Sequence, residues 1–316
     1  MKHTRITACL LAVIMLLALS ACGGQSAPES SSVRPPSEDT PITVTDMMGR
    51  RVTLDGPAQR VVTLSASDCE ILYAIGAGEA LVGRGEYCDY PPEVLEVPSV
   101  QSGAETNLEQ ILALQPQVLI MDAMAQPKEQ VERLESAGVA VVVLNAQDIQ
   151  GVYTAIELIG ELTDRTEQAA FLIESMMTSF ADIRKKAEGQ APGTIYFEVS
   201  PLEWGLWAAG SGTFMDEAAG LMGLTNCFAD VEGWAPISEE QVLERDPDYI
   251  LTIAMYDGQG PTPEGEIASR PGWENIAAVR NWAILNLPND ELSRPGPRLV
   301  DGARMLYEFV YETEQP

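Results

Sequence analysis

Histidine is all but missing from this chain of 316 residues; only His3 is present, in a segment that reads as a leader. The body therefore offers no imidazole for a Ser-His-Asp or Cys-His arrangement, nor for a zinc site or a haem axial position. Paired carboxylates could in principle hydrolyse a glycosidic bond, but acidic residues are so abundant that no particular pair stands out. Gly76-Ala77-Gly78 follows a helix rather than opening one, so it is no phosphate-binding loop. An acidic loop with calcium spacing is absent as well.

Binding chemistry is better represented. Tyr87, Trp204, Trp207 and Trp234 stand among Pro, Gly and Ser, outside the expected regular elements. Aromatic faces on loops at the carboxyl ends of parallel strands would line the crevice where such sheets hold ligands; the alternative is that they pack the loops onto the body. Ser293-Arg294-Pro295-Gly296-Pro297-Arg298 places two guanidinium groups on a proline-stiffened loop, suited to phosphate, carboxylate or catecholate oxygens. Asp290 and Glu291 stand close enough to pair with them instead.

Two glutamates form a second constellation. Glu109-Gln110-Ile111-Leu112, then Pro116, then Val118-Leu119-Ile120, recurs as Glu240-Gln241-Val242-Leu243, Pro247, Tyr249-Ile250-Leu251 with the same gaps. Each copy reads as a short helix delivered by a proline-marked turn into a buried strand. Two copies imply two similar lobes. A glutamate in the first turn also suits the positive end of a helix dipole, so capping alone could explain it.

The elements that must hold these residues follow from periodicity. A hairpin over Thr43–Asp46 and Arg51–Leu54 precedes alternating strands (Val61–Leu64, Leu81–Gly83, Val139–Leu144) and helices (Asp68–Ile75, Lys128–Ala137). From Ile149 to about Lys186, helical spacing runs almost unbroken and predicts two consecutive helices, the second long. A second alternating set follows, with a strand Thr194–Glu198, a helix Phe214–Met222 capped by Gly210–Thr213, a short helix near Trp273–Ala278, a strand Trp282–Leu287 and a last helix Leu299–Thr313. Glu70 to Gly76 and Glu217 to Gly223 hold matching positions in the two sets. The expected fold is α/β, two doubly wound lobes (41–148 and 191–316) joined by linking helices (149–190), the long one rigid, with the ligand cleft between the lobes.

Lys2 and Arg5 precede an apolar run from Ala8 to Leu19 that is short for a bilayer, so residues 1–21 are expected to be a secretory signal. Leu19-Ser20-Ala21-Cys22 resembles a lipobox, which implies acylation of Cys22 and retention on the extracytoplasmic face of the membrane. Residues 22–40, rich in Ser, Pro, Gly and Glu, read as a disordered tether. Loss of Lys2 and Arg5 from 19 basic residues leaves 17 against 47 acidic ones, a formal charge of −30. That balance argues against nucleic acid and against an anionic lipid surface as partners. Beyond Cys9 and Cys22 the cysteines are Cys69, Cys88 and Cys227, an odd number. Cys69 and Cys88 could pair.

Arg60–Ser65, the Tyr87–Pro92 segment, Asn107-Leu108-Glu109, Trp234 with Ser238–Leu243, and Arg294–Arg298, in this order, resemble the substrate-binding proteins of ABC importers for iron chelates and vitamin B12. The resemblance covers about Ile42 to Thr313, and its Asp-Tyr-Pro-Pro and Arg-x-x-Pro-Arg loops look most like those of cobalamin-binding members. It implies a periplasmic-binding-protein fold of the third class, no catalysis and no cofactor. The ligand it implies is a metal chelate, a corrinoid first, a ferric siderophore second and haem third. Tyr87, Trp234 and Asp290–Arg294 match ligand contacts. Glu109 and Glu240 match residues that dock on arginines of a dimeric permease, which works with its ATPase; the binding protein itself is expected to be a monomer. The chain departs from cobalamin binders in lacking a tryptophan in Ser99–Thr106 and a cysteine pair in the second lobe. Two other classes remain open: an extracellular lyase or hydrolase on the same scaffold, and a lipoprotein that senses its ligand and signals to a membrane partner.

Overall fold

The computed structural model describes residues 40–103, 106–123 and 128–313; the expected signal and Cys22 lie outside the described residues, as does the tether up to residue 39. The first elements are the antiparallel hairpin β1 (Ile42–Thr45) and β2 (Arg51–Leu54). Asp46, nearly buried at its turn, fixes it. The carboxylate accepts from Arg50 Nε and Nη2 at 2.9 and 2.8 Å and from the Val143 amide at 3.1 Å, fastening the hairpin to the first lobe's sheet.

That sheet is built from β3 (Val61–Thr63), helix α1 (Ala66–Ala74), β4 (Leu81–Gly85), β5 (Ser99–Val100), α2 (Leu108–Ala113), β6 (Val118–Asp122), α3 (Lys128–Ser136) and β7 (Ala140–Leu144). The strands run β5-β4-β3-β6-β7, all parallel. Contiguous burial of Val118–Met121 and Val141–Leu144 is what a parallel sheet covered on both faces requires. Chain order reverses between β3 and β6, so the crevice beyond their carboxyl ends is this lobe's switch point. Cys69 and Cys88 are both buried in this lobe as free thiols, and the hydrogen bond between them, with burial, pushes the Cys69 thiol far above its usual range.

Helices α4 (Ile149–Leu162) and α5 (Thr166–Ala187) link the lobes. Asp148 caps α4 through Oδ1 to the Gly151 amide at 2.6 Å. The buried residues of α5, namely Ala169, Met176, Phe180, Ile183 and Ala187, recur at helical spacing on one face. Its 22 residues are long for a globular helix; at 1.5 Å per residue they span about 33 Å.

The second lobe comprises β8 (Thr194–Ser200), β9 (Trp207–Ala209), α6 (Phe214–Leu221), β10 (Thr225–Asn226), β11 (Trp234–Pro236), α7 (Glu239–Arg245), β12 (Tyr249–Thr252), α8 (Pro263–Ser269), α9 (Ala277–Arg280), β13 (Ile284–Asn286), α10 (Asn289–Ser293) and α11 (Leu299–Tyr311). Its order is β11-β9-β8-β12-β13, with β10 parallel to the amino end of β8. The switch point lies between β8 and β12. Both lobes are therefore doubly wound, as expected, but β9 and β11 run antiparallel and make this sheet mixed. That corrects the placement of the tryptophans. Trp207 and Trp234 open paired strands, and Trp204 closes a short 3-10 turn, Leu202–Trp204. Helix α8 was likewise not anticipated, although Thr262 as cap, Pro263 at the first position and Glu264 after it form a readable start signal.

The doubled motif is a structural repeat. Asn107 and Ser238 cap α2 and α7 by accepting from the Gln110 and Gln241 amides at 3.1 and 3.4 Å. Gln115 and Asp246, each six residues past the glutamate and just before the proline, both adopt positive φ, 48° and 42°.

Candidate functional site: a cleft between two switch points

The carboxyl ends of the two sheets converge. Gln147, three residues after β7, accepts from the Trp234 indole through Oε1 and from the Phe214 amide through its carbonyl oxygen, both at 3.0 Å. The ring of Trp234 lies against Phe214, centroids 5.1 Å apart. Trp234 is thus partly buried where the lobes meet.

At the second lobe's switch point a cavity of about 350 Å³ opens between the segment after β8 (Pro201, Leu202, Glu203) and the segment after β12 (Ala254–Asp257). Met255 is 88% exposed beside it and Tyr256 half-exposed. Trp204 is 78% exposed, its indole donating to Glu203 Oε1 at 2.5 Å, and Trp207 lies nearby on β9, between β8 and β11. Under the cavity, Arg270 forks onto Glu198 at 2.7 and 2.9 Å and reaches Glu266 at 2.6 Å. Burial works against the guanidinium charge, but these bonds outweigh it and hold Arg270 ionised. The arginine also stacks over Trp273, 4.4 Å from the ring centre. This floor is a rigid, paired arrangement; what it exposes upward is apolar and acidic.

The first lobe meets the second through a denser set of charges. Arg298 forks onto Glu70 of α1, Nε to Oε2 at 2.9 Å and Nη2 to Oε1 at 2.6 Å, and its Nη1 reaches Glu291 at 2.9 Å. Arg294 donates to Glu70 at 3.2 Å, to Asp89 at 2.7 Å and to the Tyr87 carbonyl at 3.3 Å, and pairs with Asp290 at 2.8 Å. The ring of Tyr90 lies under Arg298, 4.3 Å from its guanidinium carbon. Bonds to Glu70 raise the pKa of Arg298, while Arg294, despite partial burial, draws Asp89 below the usual carboxylate range. Tyr87, 74% exposed in the turn after β4, is thereby held at the lobe boundary.

The structure brings together Tyr87, Asp290, Glu291, Arg294 and Arg298 in one cluster, and Trp204 and Trp207 in another; Trp234 sits where Gln147 joins the lobes. Glu70, Asp89, Gln147, Glu198 and Arg270 were not singled out from the sequence as site residues. Glu70 carried one signal, a carboxylate set between Cys69 and Ile71 on a buried helix face. Behind this region, Asp68 accepts from Thr63 Oγ1 at 3.2 Å, and burial, then repulsion from Asp122, pushes its carboxyl up to about 7. Glu109 and Glu240 occupy the first turns of α2 and α7, exposed, one per lobe. Hydrogen bonds to its own amide and to Ser238 keep Glu240 below the usual range. Among the described residues no cluster of His, Cys, Asp and Glu could hold a metal ion, and no helix is long and apolar enough to cross a membrane.

The family model described as periplasmic binding protein matches residues 61–291. The chain belongs to that family. As a periplasmic binding protein it is a solute-binding component of transport rather than an enzyme. It is 31% identical over 316 residues to the Bacillus subtilis (strain 168) protein described as an uncharacterized ABC transporter substrate-binding lipoprotein, YvrC, covering 98% of both chains. It is 27% identical over 249 residues to the vitamin B12-binding protein of Pectobacterium carotovorum, covering 78% of this chain and 87% of that one. Among solved structures, an ABC-type Fe3+-hydroxamate transport protein from Saccharomonospora viridis superposes with a TM-score of 0.71 at 27% identity, over 86% of this chain and 99% of that one.

Proposed function

We propose that this periplasmic binding protein captures a metal chelate between its lobes, a corrinoid first and a ferric siderophore as the alternative, and delivers it to an ABC permease. The observation that carries this reading is the set of exposed rings that stand at the carboxyl ends of both sheets. Tyr87 stands on one side and Trp204 and Trp207 on the other, with Trp234 at the junction. A large planar or globular chelate buries aromatic area at little cost in ordering these rings. The relatives named for vitamin B12 and for Fe3+-hydroxamate transport support the same class of cargo. Acylated at Cys22, the monomer would work on a leash at the outer membrane face, which the lipoprotein name of the Bacillus relative supports.

Glu109 and Glu240 are the proposed feet. Equivalent capped helices present one exposed carboxylate per lobe, so a partner with two equivalent cationic sites engages both at once and gains from effective concentration. Uptake of the chelate by cells carrying the Glu109→Ala and Glu240→Ala double variant tests the delivery step. Uptake should fall by about tenfold or more while chelate affinity of the purified protein is unchanged; undiminished uptake at normal protein level contradicts it.

A further inference from the structure

Resting on the chelate-binding reading, we propose that Glu70 determines the cleft's charge specificity: by holding Arg294 and Arg298 across the lobe boundary, it restricts the cargo to chelates without net negative charge. Two loop arginines at the rim of a ligand cleft would ordinarily be read as anion receptors. Here they are already engaged. Glu70 is buried, with its side chain 2% exposed, and is contributed by the opposite lobe. It takes the fork of Arg298 and one amine of Arg294. Asp89 and Asp290 take the more exposed sides of Arg294, and the largely buried Glu291 takes a further amine of Arg298.

The cluster thus holds two guanidinium groups against four carboxylates. At the second lobe's switch point the cavity adds Glu203 and Asp257 to the group Glu198, Glu266 and Arg270, in which one cation faces two carboxylates. An anionic chelate arriving here meets an acidic rim, and to reach a guanidinium it must displace a carboxylate that is covalently fixed in place. Each such unit of charge, at the distances across a cleft and in partly screened surroundings, weakens binding by about tenfold. An uncharged or cationic chelate incurs no such penalty, and its amide or ammonium donors find acceptors on both walls.

Glu70 is decisive because it is the most deeply buried carboxylate of the cluster and bonds both arginines. Asp89 and Asp290 are on the surface side and Glu291 is only largely buried, whereas Glu70 is set in the second turn of α1 with its carboxylate on the arginines of the other lobe. Glu70→Gln keeps the shape and one acceptor oxygen while removing the charge that immobilises both arginines.

The test is a titration of the full chain with three probes, namely uncharged cyanocobalamin, the cationic ferric hydroxamate ferrioxamine B, and the anionic ferric tris-catecholate of enterobactin. The wild type should bind one of the first two at least about tenfold more tightly than the tris-catecholate, and Glu70→Gln should narrow that gap by about tenfold. Asp89→Asn, at the cluster's exposed side, should narrow it by less and serves where Glu70→Gln folds poorly. A purely structural role for Glu70 would lower all three affinities together and leave their order intact, and that result overturns the inference. Tighter binding of the tris-catecholate by the wild type overturns it too while the chelate-binding reading stands; binding of none of the three overturns both.

Discussion

Glu70 and Glu217 occupy the same position in the two lobes, each in the lobe's first α-helix, and they do different work. Glu217 turns toward the linker, where its Oε2 accepts from the Ile149 amide at 2.7 Å and completes the start of α4. Glu70 turns toward the opposite lobe and takes two guanidinium groups. One position, duplicated, has become a helix cap on one side and an ionic tie on the other. Partial burial raises the pKa of Glu217, because a single backbone donor does not offset its desolvation. The difference shows that a repeat fixes where a side chain stands, and the partner that reaches it decides what it does.

Removing the tie should cause the largest loss of stability. Glu70→Ala leaves two partly buried guanidinium groups short of their central partner, and about 3 kcal/mol of stability should be lost, read as a shift in denaturant midpoint at unchanged slope. A loss no larger than that of Glu217→Ala would break the comparison.

Asp68, two residues from Glu70 on the same helix, sharpens it by lacking a cationic partner among its nearest groups, which are Thr63, Ser67 and Asp122. Because its folded-state pKa is raised from 3.8 to about 7, the folded protein binds the proton more tightly than the unfolded chain and loses stability as pH rises through that window. Asp68→Asn should therefore be neutral near pH 4 and stabilising at pH 8, by up to about 4 kcal/mol. Thermal melts of both proteins across this range check it; a stabilisation equal at both ends contradicts the assignment.

Glu217→Ala should cost about 1–2 kcal/mol, the scale of a lost partly buried cap. Its effect should leave chelate preference untouched, unlike that of Glu70→Gln. The smallest change in stability belongs to Trp204→Ala. Its ring is 78% exposed and its indole bonds only the exposed neighbour Glu203 among the described residues, so melting should shift within about 0.5 kcal/mol, whereas chelate affinity should drop by roughly tenfold.

Much of the fold was legible in the sequence. The repeat, the two α/β lobes and the long linking helix rest on local signals such as apolar periodicity, caps and proline punctuation, and these the structure reproduces to within a few residues. What escaped was non-local. Trp207 and Trp234 read as loop residues because three-residue strands carry too little pattern to register, and pairing with each other and with β8 makes them strands. Arg294 and Arg298 read equally as ligand groups or as partners of Asp290 and Glu291; no local pattern announces that Glu70, over two hundred residues away, reaches both. Asp68 stands at the start of the expected helix Asp68–Ile75, and no local pattern marks it as buried.

The central claim, that the aromatic cleft between the lobes holds a metal chelate, is tested most directly by intrinsic tryptophan fluorescence during titration of the full chain with cyanocobalamin and with ferric siderophores. One of them should quench the emission saturably at one chelate per chain. That quench should weaken in Trp204→Ala and persist in the Glu109→Ala and Glu240→Ala double variant. Absence of saturable quenching by every chelate up to high micromolar concentration, or a quench that the removal of Trp204 leaves unaltered, would contradict the account.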